Sequence, residues 1–136
     1  VVNVDVSEIL ALVDSKIVPV VAPISTDVDS DDGLNVNADL AAAALAGALG
    51  ASALIIMTDV PGIYRQWPDR GSLIDEISSK ELSEMKNIFA QGMAPKVQSA
   101  LDAIAHGAKA VRIIDGTDPE SFAAALAGTG GTLVVA

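Results

Sequence analysis

The sequence predicts an α/β domain, with helices packed closely on a largely parallel sheet. Three observations point there. Short runs of β-branched and aliphatic residues recur at 17–24, 53–57 and 110–114, apolar throughout except for Arg112 in the last. Such continuous runs read as strands buried on both faces, as in parallel sheets. Between them lie Ala-rich or amphipathic stretches of helical period, giving a repeated strand–helix alternation. Hydrophobic residues make up 51% of the chain but aromatics only 3%, so the core must be built from Ala, Val, Ile and Leu. Small side chains suit close helix-on-sheet contact better than a sandwich filled with large rings. No internal repeat, low-complexity tail or linker divides the 136 residues, which predicts a single domain over 1–136.

Residues 1–6 alternate apolar with polar and read as a short strand leading to Ser7, a candidate N-cap. Ile9, Leu10, Leu12 and Val13 then share one side of a short helix over 8–15. The run 17–24 reads as a buried strand, with Pro19 and Pro23 at its ends or on its non-bonded side because they lack ladder donors. Residues 25–34 are polar and read as a solvated loop or hairpin tip. The carboxylates of 27–33 alternate as in a calcium loop. The match fails where Asp32 replaces the obligate Gly and Ala38 the bidentate Glu.

Asn35-Val36-Asn37-Ala38-Asp39 opens the strongest predicted helix, over 40–49, with Gly50 as its C′ residue. The strand over 53–57 ends at Thr58-Asp59-Val60-Pro61-Gly62, a turn forced by Pro and Gly. Residues 63–72 carry the only Tyr and the only Trp, Tyr64 and Trp67, in a loop or hairpin. A short strand over 74–77 follows, then a helix capped by Ser78 or Ser79 with Glu81 near its start. Gly92, Met93, Ala94 and Pro95 lead into a helix that runs to His106 and stops at Gly107. A strand over 110–114, a helix over 120–127, a glycine-rich loop over 128–132 and a closing strand over 133–135 complete the order.

Several function classes are disfavoured. Eighteen acidic against eight basic residues give a net charge of −10, the wrong sign for a nucleic-acid or anionic-membrane footprint. No apolar run reaches the roughly 18 residues that span a bilayer, and no signal segment is expected at the N-terminus. The absence of Cys removes disulfides, thiolate zinc sites and cysteine nucleophiles, and fits a reducing compartment. His106 is the only His, so neither a hydrolytic triad nor a His-based metal cluster is expected, and no metal ligand is assigned. P-loop and Rossmann fingerprints are both lacking. Position 1 is Val, which suggests a processed, excised or incompletely recorded chain.

What remains is a set of polar groups at element ends. Lys96, at the start of a helix, suits a phosphate, since its ammonium adds to a terminus that already favours anions. Asp39 suits a carboxylate that orients a lysine. Thr58 and Asp59 stand just past a strand's carboxyl end, where ligands bind in open α/β sheets. Each has a plain alternative: a surface charge for Lys96, a first-turn dipole partner for Asp39, turn formers for Thr58 and Asp59.

The ordered series 35–39, 54–62, Gly92-Met93-Ala94-Pro95-Lys96-Val97, Ile113-Ile114-Asp115-Gly116 and Gly130-Gly131-Thr132 resembles the amino-acid kinase family, in the wording of its acetylglutamate kinase branch. Tyr64-Arg65-Gln66-Trp67-Pro68-Asp69-Arg70 is most similar to the actinobacterial members. The resemblance implies a three-layer α/β sandwich corresponding to the carboxyl-terminal lobe, and a cytoplasmic enzyme of arginine biosynthesis. It further implies ATP-dependent phosphorylation of the γ-carboxylate of N-acetyl-L-glutamate, with Mg²⁺ bound through the nucleotide. Carried onto this chain, Lys96 and Asp39 take catalytic roles and Asn35 holds the acetylglutamate. Thr58, Asp59, Gly92, Met93 and Tyr64 face the nucleotide, with Trp67 beside the adenine. The family's amino-terminal lobe supplies a glycine-rich phosphate loop, a second lysine and much of the acid pocket, and nothing in 1–25 matches these. The expectation is therefore an ATP-binding half that is inactive alone. The alternative is a nucleotide-binding module or engineered fragment without catalysis. A homo-oligomer stays open, because family dimers pair mainly through that other lobe.

Overall fold

The computed structural model describes residues 3–30, 32–89 and 93–136. Four strands form one sheet in the order β3-β5-β6-β4, where β3 is Leu54–Thr58, β4 Glu76–Ser78, β5 Ala110–Asp115 and β6 Thr132–Val135. β3 runs parallel to β5, and β4 parallel to β6. The central β5–β6 pair is antiparallel, Val111 facing Val134 and Ile113 facing Thr132. The sheet is thus mostly parallel, as the apolar runs predict.

β5 is buried over Val111–Arg112–Ile113–Ile114. Because strand side chains alternate, this requires cover on both faces. Val111 and Ile113 join Ile56, Ile77 and Val134 in a cluster with Ala43, Ala46, Leu82, Val97, Ala100 and Ala103. Those residues come from helices α2 (Ala38–Ala48), α3 (Ser79–Met85) and α4 (Ala94–Ala105). On the other face, Arg112 donates to the carbonyls of Gly128 and Gly130, just beyond helix α5 (Pro119–Leu126). The result is the three-layer arrangement.

Local chemistry fixes most boundaries. The Asn37 side chain accepts from the Leu40 N–H at 3.1 Å and caps α2. Ser78 and Glu81 form a reciprocal capping box on α3. Asp118 caps α5 by accepting from the Glu120 N–H. Gly50 and Gly107 hold φ of +57° and +115° at the ends of α2 and α4, a region closed to most other residues.

Two expectations fail before α2. Residues 3–6 are not a strand, and Ser7 is the first residue of helix α1 (Ser7–Asp14) rather than its cap; the Asp5 carboxylate accepts its N–H at 2.9 Å. Residues 17–24 are not a buried strand. Only Ile24 enters a strand, β1 (Ile24–Thr26), which pairs antiparallel with β2 (Gly33–Asn35) as a small hairpin. Val18 and Val20 are 86% and 97% exposed. The run has strand-forming side chains, but among the described residues no sheet edge takes up its ladder and no layer covers it.

Candidate functional site

α2 and α4 pack side by side and run parallel. Asp39 and Lys96 meet near their starts, while Gly47 and His106 approach at their ends, where a Cβ on Gly47 would lie 2.5 Å from the His106 Cβ. α2 leads into β3 and α4 into β5 through short turns joined by the Lys109 N–H to Ala51 carbonyl bond. Both helix starts therefore sit at the carboxyl ends of the two parallel strands. Thr58 and Asp115 are paired there, and the Gly116 N–H donates to the Thr58 carbonyl at 2.7 Å. Two positive helix termini and two strand ends thus converge at one end of the sheet.

Lys96 Nζ lies 3.2 Å from Asp39 Oδ2, the only ion pair among the described residues. Asp39 is well placed by the dipole of α2. Lys96, in the first turn of α4, is opposed by the dipole of its own helix. The carboxylate offsets that cost. Since the two side chains keep 22% and 25% of their surface exposed, the ammonium can still meet an anion arriving from solvent.

Beside this pair lies a cleft of about 550 Å³, lined by Thr58, Asp59, Val60, Tyr64, Arg65, Gln66, Trp67, Ile88, Phe89 and Met93. The Thr58 hydroxyl donates to Asp59 Oδ1 at 3.1 Å. The Tyr64 and Trp67 rings stand edge to face, centroids 5.3 Å apart. Arg65 reaches the Met85 sulfur at 3.6 Å. Met93 precedes α4 and stands one turn before Lys96, so the cleft and the ion pair share a helix start.

Of the residues singled out from sequence, Thr58, Asp59, Tyr64 and Met93 come together in the cleft, with Trp67 beside them. Asp39 and Lys96 come together as the ion pair. Asn35 joins neither group; it lies exposed at the end of β2, opposite Ile24. Gly92 lies outside the described residues. Sequence reading gave no site role to Val60, Arg65, Gln66, Ile88 and Phe89. Ile88 is a large aliphatic residue 62% exposed, and Phe89 is one of only two Phe, but nothing local ties either to residues some 30 positions earlier.

Asp115, at the end of β5, has its carboxyl held below the usual carboxylate range by the Thr117 hydroxyl and N–H, at 2.6 and 2.8 Å. It stays ionised next to the strand-end cluster. No group of three or more His, Cys, Asp or Glu side chains gathers at one point among the described residues. Nor is any helix among them long and apolar enough to cross a membrane.

The chain is thus an α/β protein with a cation and carboxylates gathered at the carboxyl ends of two parallel strands. Residues 1–115 match the amino acid kinase family, and the chain belongs to it. The acetylglutamate kinase of Corynebacterium urealyticum is 44% identical over 131 residues, which cover 95% of this chain and 42% of that protein. The chain thus spans well under half the length of this curated relative. An N-acetylglutamate synthase from Neisseria gonorrhoeae, solved with coenzyme A and N-acetyl-glutamate, superposes with a TM-score of 0.89 at 25% identity, over 99% of this chain and 31% of that one. Carbamate kinase from Giardia lamblia, bound to AMP-PNP, gives 0.67 at 26% identity, over 82% and 40%.

Proposed function

We propose that the chain is the nucleotide-binding part of an acetylglutamate kinase, an enzyme of arginine biosynthesis acting in the cytoplasm. The observation that carries the reading is the Lys96–Asp39 pair at the joint start of α2 and α4, beside an apolar cleft of nucleotide size. In the reaction, a γ-carboxylate oxygen of N-acetyl-L-glutamate attacks the terminal phosphorus of ATP. The bond from that phosphorus to the bridging oxygen breaks, ADP leaves, and an acyl phosphate forms. Such transfers depend on positioning and charge neutralisation.

The residues present fit this task. Tyr64, Trp67 and Phe89 offer ring faces and edges for a base. Thr58 and Asp59 offer polar groups at the strand end for the nucleotide's hydroxyls or metal waters. Lys96 supplies a cation where phosphate charge develops, and Asp39 holds its ammonium in place. When bound, Mg²⁺ neutralises phosphate oxygens, and it enters with the nucleotide because it prefers phosphates and water to all-protein cages. Asn35 is assigned to the acid substrate, four residues before Asp39 and away from the cleft. We assign Gly92 to the nucleotide on resemblance alone.

Asn35, assigned to the acid, joins neither the cleft nor the ion pair, and this favours a second statement: the 136 residues alone bind nucleotide without turning over. Calorimetric titration with ATP and Mg²⁺ tests the first part, with a saturable heat expected. No heat at millimolar nucleotide would refute it. A coupled ADP-release assay with N-acetyl-L-glutamate tests the second; steady turnover by this chain would overturn it.

A further inference from the structure

We propose that the buried hydroxyl of Thr132 is a positioning group that sets the Tyr64–Trp67 wall of the cleft. Thr132 opens β6 with no exposed surface. Its Oγ1 accepts the Ile63 N–H at 2.8 Å and donates to the Ile74 carbonyl at 2.6 Å. Ile63 and Ile74 are the two ends of one loop, and the Ile74 N–H closes its neck by donating to the Ile63 carbonyl at 2.8 Å. One hydroxyl thus ties both strands of the neck to the sheet.

Beyond the neck the loop is bound to itself. Tyr64 bridges Leu73, the Arg65 N–H donates to the Ser72 carbonyl, and the Ser72 hydroxyl donates to the Asp69 carbonyl at 2.6 Å. A unit braced in this way moves as a body about its neck. It carries Tyr64, Arg65, Gln66 and Trp67, four of the ten residues lining the cleft. Displacing the neck therefore displaces a whole wall.

The choice of residue supports a role for the oxygen itself. Val134, two positions on and equally buried, is a plain hydrocarbon. A hydroxyl buried among aliphatic side chains is costly unless its bonds are made. Here both bonds go to main-chain groups of the loop neck. Gly62 presses on the same atom: a Cβ there would lie 2.5 Å from Thr132 Oγ1, so the backbone reaches this position only as glycine.

The effect on affinity rests on reading the cleft as a nucleotide site; the effect on the loop does not. Trp67 is the only Trp, so its fluorescence reports the loop alone. Thr132→Val keeps the shape and removes the oxygen. It is expected to change the emission and acrylamide quenching of Trp67 and, through the displaced wall, to weaken ATP–Mg²⁺ binding about tenfold. Thr132→Ser restores both. A lowered Tm with Trp67 quenching unchanged would reduce Thr132 to a core residue and overturn the proposal. If the unsubstituted chain binds no nucleotide, the functional reading fails while the quenching comparison still decides the role of Thr132. Should Thr132→Val fail to fold, amide exchange of the unsubstituted chain decides. Protection of the Ile63 N–H at the level of β5 supports the tie, and exchange at loop rates refutes it.

Discussion

Replacing Lys96 with Ala separates binding from stability, because the structure assigns the two effects different sizes. A charge-assisted bond from an ammonium to a phosphate contributes about 1.5–3 kcal/mol when dry. Lys96 keeps 22% of its side chain exposed and shares its charge with Asp39 at 3.2 Å, so the lower end applies. About 1.4 kcal/mol is tenfold in Kd. Stability should barely change. The ion pair itself contributes at most about 1 kcal/mol in this half-exposed setting. Its loss is offset by removing a cation from the positive end of α4, about 0.3–1 kcal/mol, and by the better helix propensity of Ala. Lys96→Ala should therefore raise the ATP–Mg²⁺ Kd about tenfold by calorimetry, with thermal unfolding shifted by no more than a few degrees. A Kd within twofold of the unsubstituted chain removes Lys96 from the phosphate site. A collapse in Tm would instead show that the pair is structural.

Three further outcomes follow from named contacts. Ser78→Ala removes the capping box of α3 and should cost about 1 kcal/mol in urea unfolding. The Glu81 carboxyl is held below the ordinary glutamate value by the Ser78 hydroxyl and N–H. Its contribution is present above about pH 4.3 and is lost as pH falls through the lowered folded value. The acid side of the stability profile should flatten in the variant, and an unchanged profile would contradict the box. Gly47→Ala should destabilise: helix propensity gains about 1 kcal/mol, but the new methyl meets His106 Cβ at 2.5 Å, and such overpacking costs about 1–3 kcal/mol. A higher urea midpoint would show that the crossing has slack. Leu82→Ala, at a site with no exposed surface under α3, should lower stability by about 2–5 kcal/mol in the same measurement, and a loss below 1 kcal/mol would mean that the core there collapses to fill the space.

Apart from the cap read at Ser7, most features decided within a few residues were legible in the sequence. The start of α3 at Ser78, the stops at Gly50 and Gly107 and the Pro at the start of α4 are chemistry between near neighbours, and the structure shows each of them. The motif 35–39 was legible only in part. It contains two amides, and spacing alone did not say which caps. Asn37 takes the Leu40 N–H, which leaves Asp39 free for Lys96. That second contact spans 57 residues and follows from the sheet order, which no local pattern encodes. The run 17–24 failed for a related reason. Apolar β-branched residues state a preference for burial, but cover must come from elsewhere in space, and the described residues supply none. The far wall of the cleft, Ile88 and Phe89, comes between α3 and α4 and was invisible for the same cause.

The Ala-rich composition, which at first reads only as good helix-forming material, is what makes the site geometry available. α2 presents Ala43, Ala46 and Gly47 to Ala100 and Ala103 of α4, all buried. With so little side chain between them, the helix backbones approach until a methyl at Gly47 would clash. Two parallel helices at that separation bring their first turns close enough for a short Asp side chain to reach a Lys ammonium across the gap. Larger residues at 43, 46 or 100 would widen the crossing and leave Lys96 against its own helix dipole without a carboxylate to hold it. The same small residues let both helices lie close on β3 and β5, which carries their positive ends to Thr58 and Asp115. Packing and charge placement are therefore one property of this chain. A substitution in the α2–α4 seam should be read in nucleotide affinity as well as in stability.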